Sequence, residues 1–487
     1  MEAFAAFPPT RTGAITVPLD HFRYNLPART FGLRYATYEA FAANESTAPI
    51  LFYCGNEGAI ELFYNATGAI FEHAKALKAR AFFIEHRYYG NSLPLGPKAS
   101  FTPEGLQFLT IEQALADYAN VITSLPKLLG CVGTGARRAA NRCDVILFGG
   151  SYGGMLAAWH RYKYPHLSVG AIASGAPIDF YPNDSVQEVF ESAVVNTFST
   201  YGGQAGGCGE CLKTAFAAAD KATNAELKAA GVRPCEPMRD DSAERYAFYA
   251  RGALASIAMV DYPYPTNFIA PLPANPVQHA CDSLVAGGTS ITTILAALHK
   301  AVLGLVNASH DLKCVNLTAE LVGQQTAYRR RPPMVSIGAA AASTGGSNLG
   351  VVAWNYQACT ELILEPLTSD GFGFYPEARG QIEETTQLCV ERFNVQPRPS
   401  WMARSFGVGA DWAHASNIVF MENDKDPWHV GTRTVPAVGG VNGTVTRTVA
   451  KGGAHHQDLR SSSKLDAPDV VKARAFERAR IVEWLHR

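Results

Sequence analysis

Residues 144–154 read DVILFGGSYGG: an apolar run, two glycines, a serine and two more glycines. The run 145–148 has the near-continuous hydrophobicity of a strand covered on both faces. The residues that follow, from Met155 through His160, suit a helix. Positions 149–153 fit Gly-x-Ser-x-Gly, in which a serine rides a tight strand-to-helix turn and small neighbours let the two elements close around it. Alone, the pentapeptide is weak, because a glycine-rich turn without chemistry reads the same way. Its strand-then-helix setting makes Ser151 a candidate nucleophile.

Similar apolar runs occur at 49–53, 81–84, 169–172 and 417–421, each ending in a polar or glycine-rich turn. Helical stretches lie between them. One covers 109–129 and opens near Thr110, with Glu112 as its expected capping partner. Others cover 155–164 and 468–486; in the last, Val471, Ala475, Ala479, Val482 and Leu485 fall on one face. Strands alternating with helices predict an open α/β sheet. From 183 to 398 the chain is alanine-rich and helical in pattern, and strand signals resume near Asn417. The expected organisation is an α/β domain in two parts, 1–182 and 399–487, interrupted by a mostly helical cap, 183–398. The stretch 338–350 is low in complexity and reads as a loop.

The chain has 487 residues, 47% hydrophobic and 17% charged, with a net charge of −1. That balance provides no electrostatic footprint for nucleic acid or an anionic membrane. The basic run at Arg329, Arg330 and Arg331 precedes two prolines and reads as an exposed loop. No apolar run reaches the roughly 18 residues of a membrane span; the best, 294–306, carries His299 and Lys300 and reads as a buried helix.

The even number of cysteines, ten, suits disulfides in an oxidising compartment. Cys208 and Cys211 form a Cys-x-x-Cys pair without a thioredoxin-like setting, so each is expected to pair elsewhere. Glycosylation sequons begin at Asn44, Asn65, Asn183, Asn307, Asn316 and Asn442. Both signals favour the secretory pathway. The N-terminus MEAFAAFPPTRTG lacks a signal peptide's cationic start and apolar core, so the chain is read as a mature or truncated form.

If Ser151 is a nucleophile on such a sheet, a carboxylate and then a histidine should follow it in the chain. The last strong strand run leads into Glu422-Asn-Asp-Lys-Asp-Pro-Trp428, where Asp424 and Asp426 both lie just beyond the strand. After a further strand-like run at 444–449 come the adjacent His455 and His456. A loop histidine there can take the serine proton while the aspartate holds its other nitrogen. The oxyanion needs two backbone N–H groups. Tyr152, after the serine, offers one; Gly55 or Asn56, in the turn after the strand at 49–53, offers the other.

The stretches YCGNEG (53–58), EHRYYGNSLP (85–94), GGSYGGMLAAWHRYKYPH (149–166), AMVDYPYPTNF (258–268), WNYQACTE (354–361), DPW (426–428) and GGAHHQDLR (452–460) appear in one order along the chain. In them the sequence resembles the family of lysosomal Pro-X carboxypeptidase, dipeptidyl peptidase II and thymus-specific serine protease, from about residue 17 to 484. The resemblance implies an α/β-hydrolase fold with an inserted helical cap and cleavage next to proline. Matched by motif, it makes Ser151 the nucleophile, Asp426 the acid and His455 the base, with His456 a structural neighbour. Trp428 and Met155 are then candidates for the wall of a proline-sized pocket. Glu57 and Glu85 are candidates to bind a substrate amine and Arg87 a carboxylate, although each could equally be a structural ion-pair member. The chain departs from the pattern at Cys54, where a threonine is usual, and at Ala59, where an aspartate is usual.

The expected function is a serine exopeptidase acting after proline or a small residue near a peptide terminus, removing either an N-terminal dipeptide or a C-terminal residue, lysosomal, vacuolar or secreted, with a homodimer left open. No metal or cofactor is expected: His86, His455 and His456 have no metal-ligand spacing. A carboxylesterase or lipase would use the same three residues, and a catalytically dead hydrolase-fold interaction module is the non-enzymatic alternative.

Overall fold

Every strand-like run read from the sequence becomes a strand of one sheet. In a computed structural model of the chain, the described residues are 6–486, without 25–26, 45, 132–142, 180–185, 202–207, 318–349, 364–370, 372, 377–381, 408 and 433. The strands are β1 (Arg11–Pro18), β2 (Thr30–Tyr38), β3 (Ile50–Tyr53), β4 (Arg80–Ile84), β5 (Val145–Gly150), β6 (Gly170–Ser174), β7 (Ile418–Asn423), β8 (Val438–Gly439) and β9 (Val445–Ala450). They pair in the order β1-β2-β4-β3-β5-β6-β7-β9-β8. From β4 to β9 the pairings are parallel, and β1, β2 and β8 run antiparallel to their neighbours. The interior strands β3 to β7 are buried along their whole length, as the unbroken apolar runs require. β1 and β2 escaped the sequence reading because they form an edge hairpin: β1 is mostly exposed and β2 alternates, so neither presents a continuous apolar run.

The helices that bear on the site are α1 (Ile111–Leu129), α2 (Tyr152–Lys163), α3 (Val186–Ser199), α4 (Ser242–Met259), α5 (Ile291–Val306), α6 (Val351–Thr360) and α7 (Pro468–His486). Thr110 caps α1 by accepting the Gln113 N–H, but Glu112 is not its capping partner: its carboxylate accepts the Trp401 indole N–H at 2.7 Å. The expected apolar face of α7 is also corrected. Val471, Ala475, Ala479 and Val482 are exposed; Val470, Ala473, Arg474, Glu477, Ile481 and Trp484 are buried. Arg474 donates to the Asp458 and Gln457 carbonyls and pairs with Asp466, so a helix face with polar partners is buried without an apolar signal. α5 carries a buried His299 and an exposed Lys300.

Two apolar clusters cover the two faces of the sheet. A separate one, built from Phe198, Leu212, Phe216, Leu254, Leu298 and Val302, is the core of the helical segment between β6 and β7. Disulfides join Cys131–Cys143, Cys208–Cys281, Cys235–Cys314 and Cys359–Cys389. Cys211, expected to pair, is a free thiol. The other free thiol, Cys54, is buried in the sheet core, whereas Cys211 packs on the helical cluster, so the two are in different layers. The stretch 338–349, the basic run at 329–331 and Asn183 lie outside the described residues. Asn44, Asn65 and Asn442 are exposed, and Asn307 and Asn316 are partly so.

The strand order reverses between β3 and β5: the chain steps from β3 to β4 on one side and from β5 onward to the other. A crevice opens at such a switch point, beyond the C-terminal ends of the strands. The loops there are Cys54-Gly-Asn-Glu57 and the turn carrying Ser151.

Candidate active site

Ser151 joins β5 to α2 with φ 56° and ψ −129°, a left-handed conformation costly for any residue with a side chain. Its surroundings over-determine the turn. Its N–H donates to the Ser174 carbonyl at 2.8 Å, and its carbonyl accepts from Met155 at 3.0 Å. A Cβ on Gly149 would lie 2.0 Å from the Gly153 oxygen, and one on Gly153 would lie 2.3 Å from Asn56 Oδ1. Only glycine lets strand, helix and neighbouring loop approach this closely. The serine itself is partly exposed and opens onto the crevice.

The two downstream loops meet beside it. His455 Nδ1 is 2.6 Å from Asp426 Oδ2, both groups buried. A Cβ on Gly175, the residue after Ser174, would lie 3.1 Å from both of these atoms. The acid–histidine pair therefore packs against the residue next to the one that anchors Ser151. Asp426 Oδ1 accepts the Trp428 N–H at 3.0 Å, which fixes the carboxylate in rotation. Asp424 has a different role: it is exposed and accepts the Gly452 N–H, tying one loop to the other. His456 stands in a left-handed conformation against the Phe268 ring, and burial, with His455 beside it, pushes its pKa well below the usual imidazole value.

The loop after β3 is bolted to the elbow. Asn56 donates to the Gly150 carbonyl at 2.6 Å and accepts from Tyr53, while the Gly55 carbonyl accepts from Tyr118 at 2.9 Å. Tyr152 opens α2, so its N–H is at the positive end of the helix. Its hydroxyl is held by His86 at 3.0 Å and by Gln357 of α6 at 2.8 Å. The other His86 nitrogen is 2.6 Å from the Arg87 carbonyl. Met155 is buried one turn into α2, and the Trp428 ring packs edge-on against Phe190 of α3, 4.8 Å between centroids.

Two candidate substrate residues are corrected. Glu85 accepts from Arg34, Ser92 and the Ile60 and Asn91 N–H groups. Arg87 forms a two-pronged pair with Asp117 at 2.6 and 2.7 Å and donates to the Pro18, Leu19 and Phe108 carbonyls. Both are buried with their hydrogen-bonding capacity filled from within the fold, so neither has a group left for a terminus. Glu57 differs: burial raises its pKa, it is within electrostatic reach of His455, and its Oε2 has no hydrogen-bond partner among the described residues.

Sequence reasoning gave no role to a set of groups that ring the site. Ser174 donates to Asp458 at 2.7 Å and Asn423 donates to it at 2.6 Å, locking the ends of β6 and β7 together. Tyr262, Asp261 and Lys425 also adjoin the two catalytic loops. The block VDYPYP, which holds Asp261 and Tyr262, was visible only as part of the resemblance, and Lys425 stands in the run after β7 next to Asp426.

The profile described as serine carboxypeptidase S28 matches residues 17–477. This chain belongs to that family. The S28 chain is 36% identical over 475 residues to the lysosomal Pro-X carboxypeptidase of Bos taurus, across 96% of this chain and 86% of the relative. It is 33% identical to the Homo sapiens lysosomal Pro-X carboxypeptidase, with the same coverage. The thymus-specific serine protease of Mus musculus is 28% identical over 86% of this chain and 77% of its own. This S28 member is a serine-type peptidase with an α/β-hydrolase fold and a helical cap.

Proposed function

We propose that this S28 peptidase removes the residue that follows a proline at the C-terminus of a peptide, in a lysosomal compartment. The observation that carries the mechanism is the buried Asp426–His455 contact of 2.6 Å packed beside the strained Ser151 turn. In this reading Ser151 attacks the carbonyl of the proline. His455 takes the hydroxyl proton, and Asp426 holds the imidazole in the correct tautomer and stabilises its charged form. The N–H groups of Tyr152 and of Gly55 or Asn56 receive the oxyanion. His455 then protonates the departing amine, and water hydrolyses the acyl-enzyme.

Removal of the C-terminal rather than the N-terminal side is favoured by the relatives, two of which are Pro-X carboxypeptidases at 33–36% identity. Met155 and Trp428 are proposed to wall the proline pocket, with the helical segment 183–398 as its cap. Trp428 joins the two, since it adjoins Asp426 and packs on Phe190 of the helical part. The test uses a blocked peptide ending in Pro-Phe and an X-Pro amide with a free amine. Turnover of the first but not the second, lost in Ser151→Ala, supports the proposal. Turnover of only the second makes the protein a dipeptidyl peptidase, and ester hydrolysis alone refutes both.

A further inference from the structure

The histidine is gripped from outside the hydrolase sheet. Its backbone N–H donates to the carbonyl of Met259, the last residue of α4, at 2.9 Å. Its carbonyl accepts the Tyr262 hydroxyl at 2.8 Å. Between these two residues, Asp261 Oδ2 receives Lys425 Nζ at 2.9 Å, and Lys425 directly precedes Asp426. Asp261 is itself held, because its Oδ1 accepts the Val277 N–H at 3.1 Å. Tyr201 and Thr197 of the α3 region complete the contact: the ammonium of Lys425 donates to the Tyr201 oxygen at 3.0 Å, and Thr197 donates to the Lys425 carbonyl at 3.1 Å. The Lys425 N–H donates to the Gly453 carbonyl at 3.0 Å, so the acid loop and the histidine loop are also joined to each other.

We propose that the four-residue cap segment 259–262 is a clamp that sets the geometry of the catalytic base and acid, with Tyr262 and Asp261 as positioning residues. The inference rests on the triad reading above. Its physical basis is that both catalytic side chains stand on loops beyond β7 and β9, where no strand partner fixes the peptide planes. Imidazole direction follows the planes on either side of residue 455, and both polar groups of that residue end on one segment. A buried hydrogen bond made only to satisfy a polar group would not require the same segment to hold the neighbour of the acid as well. A cap shifted from its seat would carry His455 with it. Misplacement of about 1 Å costs on the order of a hundredfold in rate. The cap, in this view, completes the reaction centre as well as covering it.

The test compares Tyr262→Phe, Lys425→Met and Lys425→Arg by kcat and KM on the blocked Pro-Phe peptide, by rate of fluorophosphonate labelling, and by Tm. The clamp predicts that Tyr262→Phe and Lys425→Met each lower kcat about tenfold, the worth of one hydrogen bond or exposed-edge ion pair in positioning. KM should stay within about twofold, since the pocket is untouched. Labelling should slow in parallel, although the probe is too small to need the cap, and Lys425→Arg should retain most of the rate. Unchanged kcat in both Tyr262→Phe and Lys425→Met overturns the clamp, as does a rise in KM at constant kcat or an arginine variant as slow as the methionine one. Lys425 reaches solvent at its edge, so its variants should fold even where Tyr262→Phe does not. Ser151→Ala and His455→Ala run alongside: if they are inactive while the clamp variants are normal, only the clamp fails. If they turn over normally, the triad reading itself is wrong.

Discussion

Stability of this protein should fall as pH rises from 6.5 to 7.5, and Asp458→Asn should remove much of that slope. Asp458 and Glu477 are both fully buried, and burial raises their pKa values to about 8 and about 7. Among the described residues, Asp458 Oδ2 and Glu477 Oε1 have no donor, which a proton on one of the two carboxyls would supply. The folded state thus keeps a proton that the unfolded chain, with carboxyl pKa values near 4, has released. Stability declines wherever the folded state binds more protons, by about 1.4 kcal/mol per pH unit per proton. For Asp458, the decline starts above the unfolded value and ends as pH passes about 8. Buried histidines act oppositely but lower down. His73 and His86 are pushed to about 4 by burial, so their effect raises stability from about pH 4 upward, and the rise fades as pH passes above the unfolded value near 6.5. Between 6.5 and 7.5 the carboxyls dominate, and Glu422 and Glu361, also raised by burial, add the same sign.

Urea midpoints at pH 6.5 and 7.5 measure the effect. Asn at 458 keeps an acceptor for Ser174 and Asn423 but cannot ionise, so the variant should lose about 1 kcal/mol of the pH-dependent difference. Stability that rises across this interval, or an unchanged slope in Asp458→Asn, would refute the shared-proton account.

Asp426→Asn should leave folding intact and lower kcat by on the order of ten-thousandfold, because the amide presents the wrong partner to His455 Nδ1; steady-state kinetics with a Tm control tests this. Gly149→Ala should destabilise by about 2–3 kcal/mol, since the new carbon meets backbone rather than a movable side chain; denaturant unfolding reads this. In the native protein an alkylating reagent should modify Cys211 and spare Cys54, whose thiol is fully buried and held protonated, and peptide mapping would show both modified only after unfolding.

Ser151 was legible as a candidate from its glycine-flanked turn, whereas local chemistry left Asp424 beside Asp426 and His456 beside His455, and only the resemblance chose between them. The parallel strands were legible locally, since burial on both faces demands unbroken apolar runs. Glu85 and Arg87 misled, because a charged residue near a site looks the same in sequence whether it faces substrate or closes a network with Arg34 or Asp117. The face of α7 misled for a related reason, as Arg474 and Glu477 are buried among polar partners that are distant in sequence or in other elements.

Sequence by itself supplied the candidates for nucleophile, acid and base, because such candidates depend on residue type and on local strand and turn patterns. Tertiary structure decided which groups hold them in place. Met259 and Tyr262 lie 196 and 193 residues before His455, and no pattern in the intervening chain encodes their meeting. Only packing of the helical segment onto the sheet's C-terminal edge brings the two together.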